Sequence, residues 1–219
     1  MKLHLIWDMD GTLVNSEPEI LATIQQSLQS VGLSVEKAAR PFRIGPPLPF
    51  VLRNSFSEDV LSNQLLEEVI KGFRKIYDSS DFVNTQPYEG VDEIIKSEVF
   101  VHHVITNKPD YATRRIIEKK GWSNYIEDVL SPNTLMNVMG RQMKKQELFQ
   151  YFKTNNPGLN VVAIGDMAGD VDCAHAAGIP AIGVLWGTGT KEELVQAGCE
   201  AIVSNSKELV NLLKTYFNE

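Results

Sequence analysis

The sequence lacks an excess of basic residues and lacks long hydrophobic runs. Its 219 residues include 28 Asp and Glu against 21 Lys and Arg, a formal net charge of −7 at pH 7. That charge has the wrong sign for general attraction to the phosphates of nucleic acids, so no nucleic-acid partner is expected. No run approaches the roughly 18 apolar residues that a membrane helix needs. The first apolar run ends at Asp8, which predicts neither a signal peptide nor a membrane anchor.

Cysteine is also scarce, since only Cys173 and Cys199 occur. Two cysteines exclude a disulfide-rich scaffold, and their positions match no metal-ligand spacing. We therefore expect two reduced thiols and a cytoplasmic location. Apolar residues make up 43% and charged residues 22% of the chain, which excludes a mainly disordered protein. The length suits one domain of ordinary size with a smaller companion.

Short apolar runs of the kind that a parallel sheet buries on both faces recur along the chain. Amphipathic segments lie between the later runs and predict helices. Strand alternating with helix indicates an α/β fold with a Rossmann-like, mainly parallel sheet. The predicted strands are 3–7, 99–105, 161–164, 181–185 and 201–203, and the predicted helices are 111–120, 146–153, 171–177, 191–197 and 206–217.

A long interval after the first strand contains no convincing strand. Its apolar residues recur at helical spacing over 17–31 and 59–77. Because this interval is too long for one βαβ crossover, we predict an inserted α-helical cap domain over 15–85. The core domain would then be formed by 1–14 and 86–219. Turn-forming residues predict hinges over 14–18 and 84–90 and a rigid loop over 44–49.

Three predicted strands end in polar residues. Ligands of open parallel sheets bind beyond the carboxyl ends of the strands, so these residues are candidates for one site. Asp8 and Asp10 are two apart and point to the same side of an extended segment, while Gly11 allows the chain to turn. The polar residues that follow the three strands are Asp8, Asp10, Thr106, Asn107, Asp166 and Asp170.

Four carboxylates at one edge repel each other, and some would have to hold protons unless a cation lay among them. Oxygen ligands beside a phosphate favour Mg²⁺, which takes one or two carboxylates together with substrate oxygens and water. The pattern therefore predicts a magnesium site.

In their order along the chain, these residues resemble the four motifs of the haloacid dehalogenase-like (HAD-like) hydrolases. The resemblance is to the phosphoglycolate phosphatase-like branch with an α-helical cap, and it extends over nearly the whole chain. It includes the place of the insert and the loops at 43–48 and 186–187. The motifs are 8–14 (DMDGTLV), 106–109 (TNKP), a lysine within 141–148, and 165–170 (GDMAGD).

The resemblance implies a magnesium-dependent phosphatase acting on a small phosphomonoester, with phosphoglycolate as the first candidate. Asp8 would be the nucleophile that forms an aspartyl-phosphate, and Asp10 the general acid and base. The phosphate would be bound by Thr106, Asn107 and Lys145, and the metal by Asp8, the backbone carbonyl of Asp10, Asp166 and Asp170.

Several assignments stay open. Lys144 is adjacent to Lys145 and either could be presented, although the sequence following Lys145 matches the family better. Asp170 is either a metal ligand or an anchor for the lysine. Arg43, near Arg40 in the insert, is a candidate to contact a substrate carboxylate or phosphate. A monomer and a homodimer remain possible, as do an open and a closed cap.

Several other functions are alternatives to the phosphatase. Within the family these are phosphatases of nucleoside monophosphates or sugar phosphates, and a phosphomutase. From other classes they are a phospho-accepting receiver domain, a catalytically silent binding protein and a NAD-dependent dehydrogenase. The segment 187–189 lacks a full dinucleotide fingerprint and is interpreted as a simple connection. The histidines show no metal-binding spacing and are interpreted as packing residues: His4, His102, His103 and His175.

Overall fold

The computed structural model describes residues 2–216. The strands within this range are β1 (His4–Trp7), β2 (Val14–Asn15), β3 (Gln86–Pro87), β4 (Val101–Ile105), β5 (Ile126–Leu130), β6 (Val161–Gly165), β7 (Ala181–Val184) and β8 (Ala201–Val203). The helices are α1 (Glu17–Ser30), α2 (Leu48–Ser55), α3 (Asn63–Tyr77), α4 (Val91–Lys96), α5 (Asp110–Lys119), α6 (Met136–Met139), α7 (Lys145–Asn155), α8 (Ala168–Ala176), α9 (Lys191–Gln196) and α10 (Ser206–Tyr216), with a short 3₁₀ helix at Val35–Lys37.

Six strands form one parallel sheet in the order β5-β4-β1-β6-β7-β8. The first strand lies between β4 and β6, so later strands are added on both sides of it. Trp7 in β1 is level with Val104 in β4 and with Ile164 in β6. The residues that follow these three strands therefore emerge at the same edge of the sheet.

The sheet is built from the short apolar runs of the sequence. All five residues of β6 are buried, as are the last three of β1, which is expected of parallel strands that are covered on both faces. On one face, Ile6, Ala163 and Ala181 pack with Phe149 and Val171 from the helices. The α/β class and the mainly parallel sheet are confirmed.

The strand β5 was not predicted. Its sequence, IEDVL, contains two consecutive acidic residues, Glu127 and Asp128, which interrupt the apolar pattern. Both side chains are exposed because β5 is an edge strand of the sheet. Edge strands commonly carry charges, and this is why the periodicity of β5 gave no strand signal.

Two predictions for the insert differ from the structure. The segment 44–49 was expected to be a rigid loop, but helix α2 begins inside it at Leu48. Pro49 is compatible with this helix because the first turn requires no backbone N–H bond from it. The strands β2 and β3 pair as a separate two-stranded sheet at the ends of the interval that was expected to contain no strand. Two residues are too few to produce an alternating pattern.

Within the described residues, the chain divides into two compact units. One contains 2–15 and 87–216, and the other is Ser16–Gln86. The predicted domain boundaries lie one residue earlier at each crossing. That the second unit acts as a cap stays a prediction.

The second unit is helical and has its own apolar core. Helix α1 contributes Ile20, Ile24 and Leu28 as buried residues, and α3 contributes Val69, Phe73 and Tyr77, at the spacing of one helical face. The sequence predicted α3 from residue 59, but the helix begins after Ser62, whose hydroxyl accepts a hydrogen bond from the backbone N–H of Leu65 at 3.3 Å. This cap sets the start of the helix.

Candidate active site

Asp8 lies immediately beyond the carboxyl end of the central strand β1. Its backbone N–H donates to the carbonyl of Ile164 in β6 at 3.0 Å, which continues the sheet hydrogen bonding by one residue. On the other side of β1, the N–H of Thr106 donates to the carbonyl of Leu130 at 3.1 Å. The parallel sheet thus brings the ends of β1, β4 and β6 to one edge, as the strand register requires.

Three carboxylates meet at this edge. Asp8, Asp166 and Asp170 each offer an oxygen atom within 4.8 Å of the other two, and all three residues are buried. Asp166 follows β6 directly, and Asp170 lies in the first turn of α8. The Asp170 carboxylate also accepts a hydrogen bond from the backbone N–H of Met167 at 3.0 Å, which fixes the start of α8.

Lys145 is the cation of this cluster. Its Nζ lies 2.5 Å from Oδ1 of Asp8 and 2.6 Å from Oδ1 of Asp170, and only 5% of the residue is exposed. Burial alone would lower the pKa of Lys145, but the carboxylates of Asp170 and Asp8 outweigh it and raise the pKa. Lys144 precedes α7 and is exposed. The structure therefore brings Lys145, and not Lys144, to the acidic residues.

If all three carboxylates are ionised, they exceed the one ammonium group by two negative charges. Burial, followed by repulsion from Asp170 and Asp166, raises the pKa of Asp8 to about 7, although Lys145 opposes the shift. Burial and repulsion from Asp170 raise the pKa of Asp166 to about 6. Oxygen ligands with uncompensated negative charge are the donors that a hard divalent cation requires. The cluster fits such an ion, which would be bound by Asp8, Asp166 and Asp170.

Asp166 is held on several sides by the chain. The hydroxyl of Thr12 donates to its Oδ1 at 3.2 Å, and the backbone N–H of Thr188 donates to its Oδ2 at 2.8 Å. A Cβ atom added to Gly11 or Gly187 would overlap the Asp166 carboxylate, and one added to Gly189 would overlap its backbone carbonyl. The segment 187–189 lies in the connection between β7 and α9, as interpreted from the sequence, and its Thr188 also binds Asp166, which was not predicted.

Asp10 is directed to a different partner. Lys108 Nζ contacts both carboxylate oxygens of Asp10, at 2.8 Å and 2.9 Å, and Lys108 is 6% exposed. The backbone N–H of Lys108 donates to the Thr106 hydroxyl at 3.1 Å, so the turn after β4 positions this lysine. Lys108 lies in the 106–109 motif, but no role was predicted for it. Only its position next to Thr106 and Asn107 indicated that it belongs to the site. The predicted metal contact through the Asp10 carbonyl stays a prediction.

The remaining predicted site residues are Thr106, Asn107 and Arg43. Thr106 is buried and Asn107 is half-buried immediately after β4, at the same edge of the sheet as Asp8. Their contact with phosphate stays a prediction. Arg43 is exposed in the helical unit, and its role in specificity also stays a prediction.

A match to a family sequence model identifies the family of this chain. The sequence model described as haloacid dehalogenase-like hydrolase matches residues 5–184. The chain belongs to the haloacid dehalogenase-like hydrolase family. The HAD-like assignment made from the four motifs is thereby confirmed, and Asp8, Asp10, Lys145 and Asp166 all lie within the matched range.

Several proteins are similar to this HAD-like chain over most of its length. A phosphoglycolate phosphatase of Xanthomonas campestris pv. campestris is 27% identical over 191 residues, which cover 84% of this chain and 83% of that protein. A 5′-nucleotidase of Pseudomonas aeruginosa is 24% identical over 198 residues, covering 87% and 86%. The crystal structure of a predicted phosphatase from Clostridium acetobutylicum has a TM-score of 0.79 and 26% identity, and it covers 98% of this chain and 99% of that one.

None of the helices in the described range is long and apolar enough to span a membrane. Cys173 and Cys199 are both free thiols.

Proposed function

We propose that this HAD-like chain is a phosphatase that hydrolyses a small phosphomonoester with Mg²⁺ as its cofactor. The observation that carries the proposal is the buried cluster of Asp8, Asp166 and Asp170, in which Lys145 contacts Asp8 and Asp170. Asp10 follows two residues after Asp8. The similarity to a curated phosphoglycolate phosphatase and to the crystal structure of a predicted phosphatase supports the same reaction class. Phosphoglycolate is the first candidate substrate.

Asp8 would act as the nucleophile. One of its oxygens would attack phosphorus while the bond from phosphorus to the ester oxygen breaks, giving an aspartyl-phosphate and an alcohol. A carboxylate suits this role because the acyl phosphate that it forms is readily hydrolysed. Water would then attack phosphorus and the bond to the Asp8 oxygen would break, which releases inorganic phosphate and regenerates the carboxylate.

Asp10 would carry the proton in both steps. It would donate a proton to the leaving alkoxide and then, as a carboxylate, take a proton from the attacking water, a role worth roughly 10² to 10⁴ in rate. Lys108 contacts both oxygens of Asp10, so one oxygen must leave Lys108 before it reaches the substrate. We therefore assign Lys108 the positioning of Asp10.

The phosphate would be bound by donors at the same edge of the sheet. Lys145 already lies against Asp8, where its ammonium group would stabilise the charge of a transferring phosphoryl group, and Thr106 and Asn107 would add a hydroxyl and an amide. Mg²⁺ would be held by Asp8, the Asp10 carbonyl, Asp166 and Asp170. When bound, it would neutralise charge on the phosphate so that an anionic nucleophile can approach.

A second substrate class has support of its own. The 5′-nucleotidase of Pseudomonas aeruginosa matches this chain over a similar length to the phosphoglycolate phosphatase, at 24% identity. Nucleoside monophosphates therefore stand as the alternative to phosphoglycolate. The helical unit, with Arg43, would decide between them by contacting the part of the substrate beyond the phosphate.

The test is phosphate release from a panel of esters, with and without Mg²⁺, using D8N as the blank. The panel contains phosphoglycolate, a nucleoside monophosphate and a hexose phosphate, and isomerisation of the hexose phosphate is measured in parallel for the mutase reaction. We expect Mg²⁺-dependent release by the wild type and none by D8N above that in the absence of enzyme, since Asn cannot form the acyl phosphate. R43Q should change KM and the order of preference more than kcat. Residual turnover in D8N equal to the wild type would remove Asp8 from the nucleophile's role.

A further inference from the structure

A second group of potential metal ligands lies away from the catalytic carboxylates. His4, His103 and Glu127 each offer one ligand atom within 4.8 Å of the other two. They come from β1, β4 and β5, which are consecutive neighbours in the sheet. His4 is the first residue of β1, whereas Asp8 follows the end of that strand. At roughly 3.3 Å per residue, the two positions are about 13 Å apart, so the two groups are separate sites.

An irregularity in the sheet brings Glu127 to this group. His102 is level with Ile126, but the next residue of β4, His103, is level with Asp128. Glu127 is therefore the extra residue of a β-bulge. A bulge redirects side chains of its strand, and here Glu127 and Asp128 both approach His103.

Contacts at both ring nitrogens fix the orientation of His103. Nδ1 lies 3.1 Å from Oδ2 of Asp128, and Nε2 lies 2.9 Å from Nδ1 of His4. If Nδ1 carries the proton that Asp128 accepts, then Nε2 presents its lone pair towards His4. Histidines that bind metals commonly have this arrangement, in which one imidazole nitrogen donates to a carboxylate and the other binds the metal.

The surroundings make the group rigid on one side and accessible on the other. His103 is 2% exposed, and its ring packs edge-on against Phe152 at 4.8 Å between centroids. The ring of His4 lies beside it, with 5.2 Å between centroids and 14° between the ring planes. His4 is half-buried and Glu127 is exposed. A fixed imidazole with an exposed, flexible carboxylate gives an ion both a preformed ligand and a path of entry.

We propose that His4, His103 and Glu127 bind one Zn²⁺ ion, with Asp128 as the outer partner of His103. Imidazole and carboxylate donors together suit Zn²⁺, whereas Mg²⁺ prefers oxygen ligands alone. Three protein ligands leave a fourth position for water. Binding breaks the hydrogen bond between Nδ1 of His4 and Nε2 of His103, because the 2.9 Å between these nitrogens leaves no room for an ion. The half-buried ring of His4 must turn so that both lone pairs face the ion, and its proton must move to Nε2, a change of tautomer and not of charge. The ion would link β1, β4 and β5.

The first test is titration of the whole chain with Zn²⁺ in saturating Mg²⁺, which keeps the catalytic carboxylates occupied. We expect one equivalent of Zn²⁺ to bind and, at 100 times its Kd, to raise Tm by about 5 to 10 °C. H4Q and E127Q should each weaken binding at least about 10-fold, and D128N about 10 to 100-fold. The matched control is H175Q, which removes a histidine whose contact is a single carboxylate, Glu200, at 3.2 Å. Its Zn²⁺ affinity should equal that of the wild type.

Two results would overturn the assignment. One is a Zn²⁺ affinity in H4Q and E127Q that equals the wild-type value. The other is an equivalent of Zn²⁺ that disappears in D166N but not in H4Q, which would place the ion at the catalytic carboxylates. The imidazole ¹⁵N resonances of His4 and His103 provide a readout that does not depend on stability. Zn²⁺ should shift Nδ1 of His4 and Nε2 of His103, while the resonances of His175 stay in place.

Discussion

Lys144 and Lys145 show how far the surroundings of one residue can differ from those of the next. Helix α7 begins at Lys145 and turns this side chain into the interior, where it meets Asp8 and Asp170. Lys144 is exposed just before the helix. In the sequence they are two identical residues side by side, and only the placement of the helix separates them.

We predict that K145M lowers kcat at least about 100-fold, whereas K144M stays within a few-fold of the wild type. Removal of Lys145 takes away the ammonium group beside Asp8, and loss of one preorganised charge donor at a reacting centre typically costs 10² to 10³ in rate. The measurement is kcat for the best ester of the panel at saturating Mg²⁺. Equal losses in the two variants would contradict the assignment of Lys145.

The sequence predicted most of the acidic site but missed some of the residues that hold it. Asp8, Asp166 and Asp170 were found because each follows a strand and lies in a recognisable motif. Thr188 was missed because it lies in a short segment with no distinctive pattern, although its N–H and hydroxyl both bind Asp166. Contacts made by a backbone N–H depend on the path of the loop, which the identity of one residue does not reveal.

At the scale of the element, the start of α7 depends on a charged cap. Glu147 accepts from the backbone N–H of Lys144 at 2.7 Å, and its carboxylate binds the Arg141 guanidinium at 2.6 Å and 3.0 Å. The hydrogen bond from Arg141, with that from the Lys144 N–H, lowers the pKa of Glu147 to about 2. This carboxylate thus orders the turn that presents Lys145.

We predict a pH dependence of stability from this cap. Between pH 4.5, the ordinary pKa of the carboxyl, and about 2, the unfolded chain binds more protons than the folded one at Glu147. The contribution of Glu147 is therefore complete above pH 4.5 and is lost as the pH falls towards 2. E147Q keeps the cap and removes the charge, so its free energy of unfolding should vary less with pH in this window. Urea unfolding from pH 2 to 7 measures it.

The control for this measurement is E118Q, which changes an exposed glutamate at the end of α5. Its pH profile should run parallel to that of the wild type. Since exposed ion pairs are screened by salt, the difference between E147Q and the wild type should shrink in 1 M NaCl. An E147Q profile parallel to the wild type at low salt would show that the cap carries no such linkage.

The loop after β7 is constrained by the space around Asp166. A Cβ atom on Gly187 would overlap both the Asp166 carboxylate and the carbonyl oxygen of Gly11. A backbone oxygen cannot move aside as the tip of a flexible side chain can. We predict that G187A lowers the free energy of unfolding by about 1 to 3 kcal/mol. Displacement of Asp166 should also lower kcat by about 100-fold.

The matched control is G169A, because a Cβ atom on Gly169 meets nothing within 4 Å. Gly169 lies in the first turn of α8, where alanine is favoured over glycine. Its stability should be unchanged or rise by up to about 1 kcal/mol. Thermal or urea unfolding of the two variants gives the comparison, and an equally stable and active G187A would show that this loop has room to shift.

The elements that sequence reasoning found and missed differ in how strongly they depend on neighbours. Strand β6, with four buried apolar residues followed by a buried glycine, is recognisable on its own. Strand β5 carries two exposed acids and exists because β4 offers it a hydrogen-bonding edge. Helix α2 follows a proline-rich segment whose composition favours a loop, and its first turn accommodates Pro49. In both missed elements, contacts with the rest of the fold outweigh local composition.

At the scale of the whole molecule, parallel topology collects distant parts of the chain at one edge. Strand β1 is central, so residue 8 lies between residues contributed by β4 on one side and by β6 on the other. The order of strands could not be deduced from the sequence, but their common direction was sufficient to predict that the ends of three strands meet. The same order places His4, His103 and Glu127 on neighbouring strands, and no spacing in the sequence indicates it.

The acidic cluster links the stability of the folded chain to divalent ions. Three buried carboxylates face one ammonium group, and the pKa values of Asp8 and Asp166 are raised to about 7 and about 6 chiefly because burial disfavours their charges. A cation that binds here stabilises the folded state by RT ln(1 + [L]/Kd), about 2.7 kcal/mol at 100 times Kd. We predict that Mg²⁺ raises Tm by about 5 to 10 °C at that concentration and that a chelator reverses the change.

D166N should lose most of this Mg²⁺ response, because it replaces a charged oxygen ligand by a neutral amide. In the presence of a chelator, its Tm should be close to that of the wild type, since the substitution removes repulsion from Asp170 while weakening the bonds from Thr12 and Thr188.

E127Q is the control, as Glu127 belongs to the separate histidine group, and its response to Mg²⁺ should equal the wild-type response. Differential scanning calorimetry with and without Mg²⁺ measures both. If D166N and the wild type gained the same Tm from Mg²⁺, the ion would bind elsewhere, and the carboxylates at the end of β1 and β6 would not be its site.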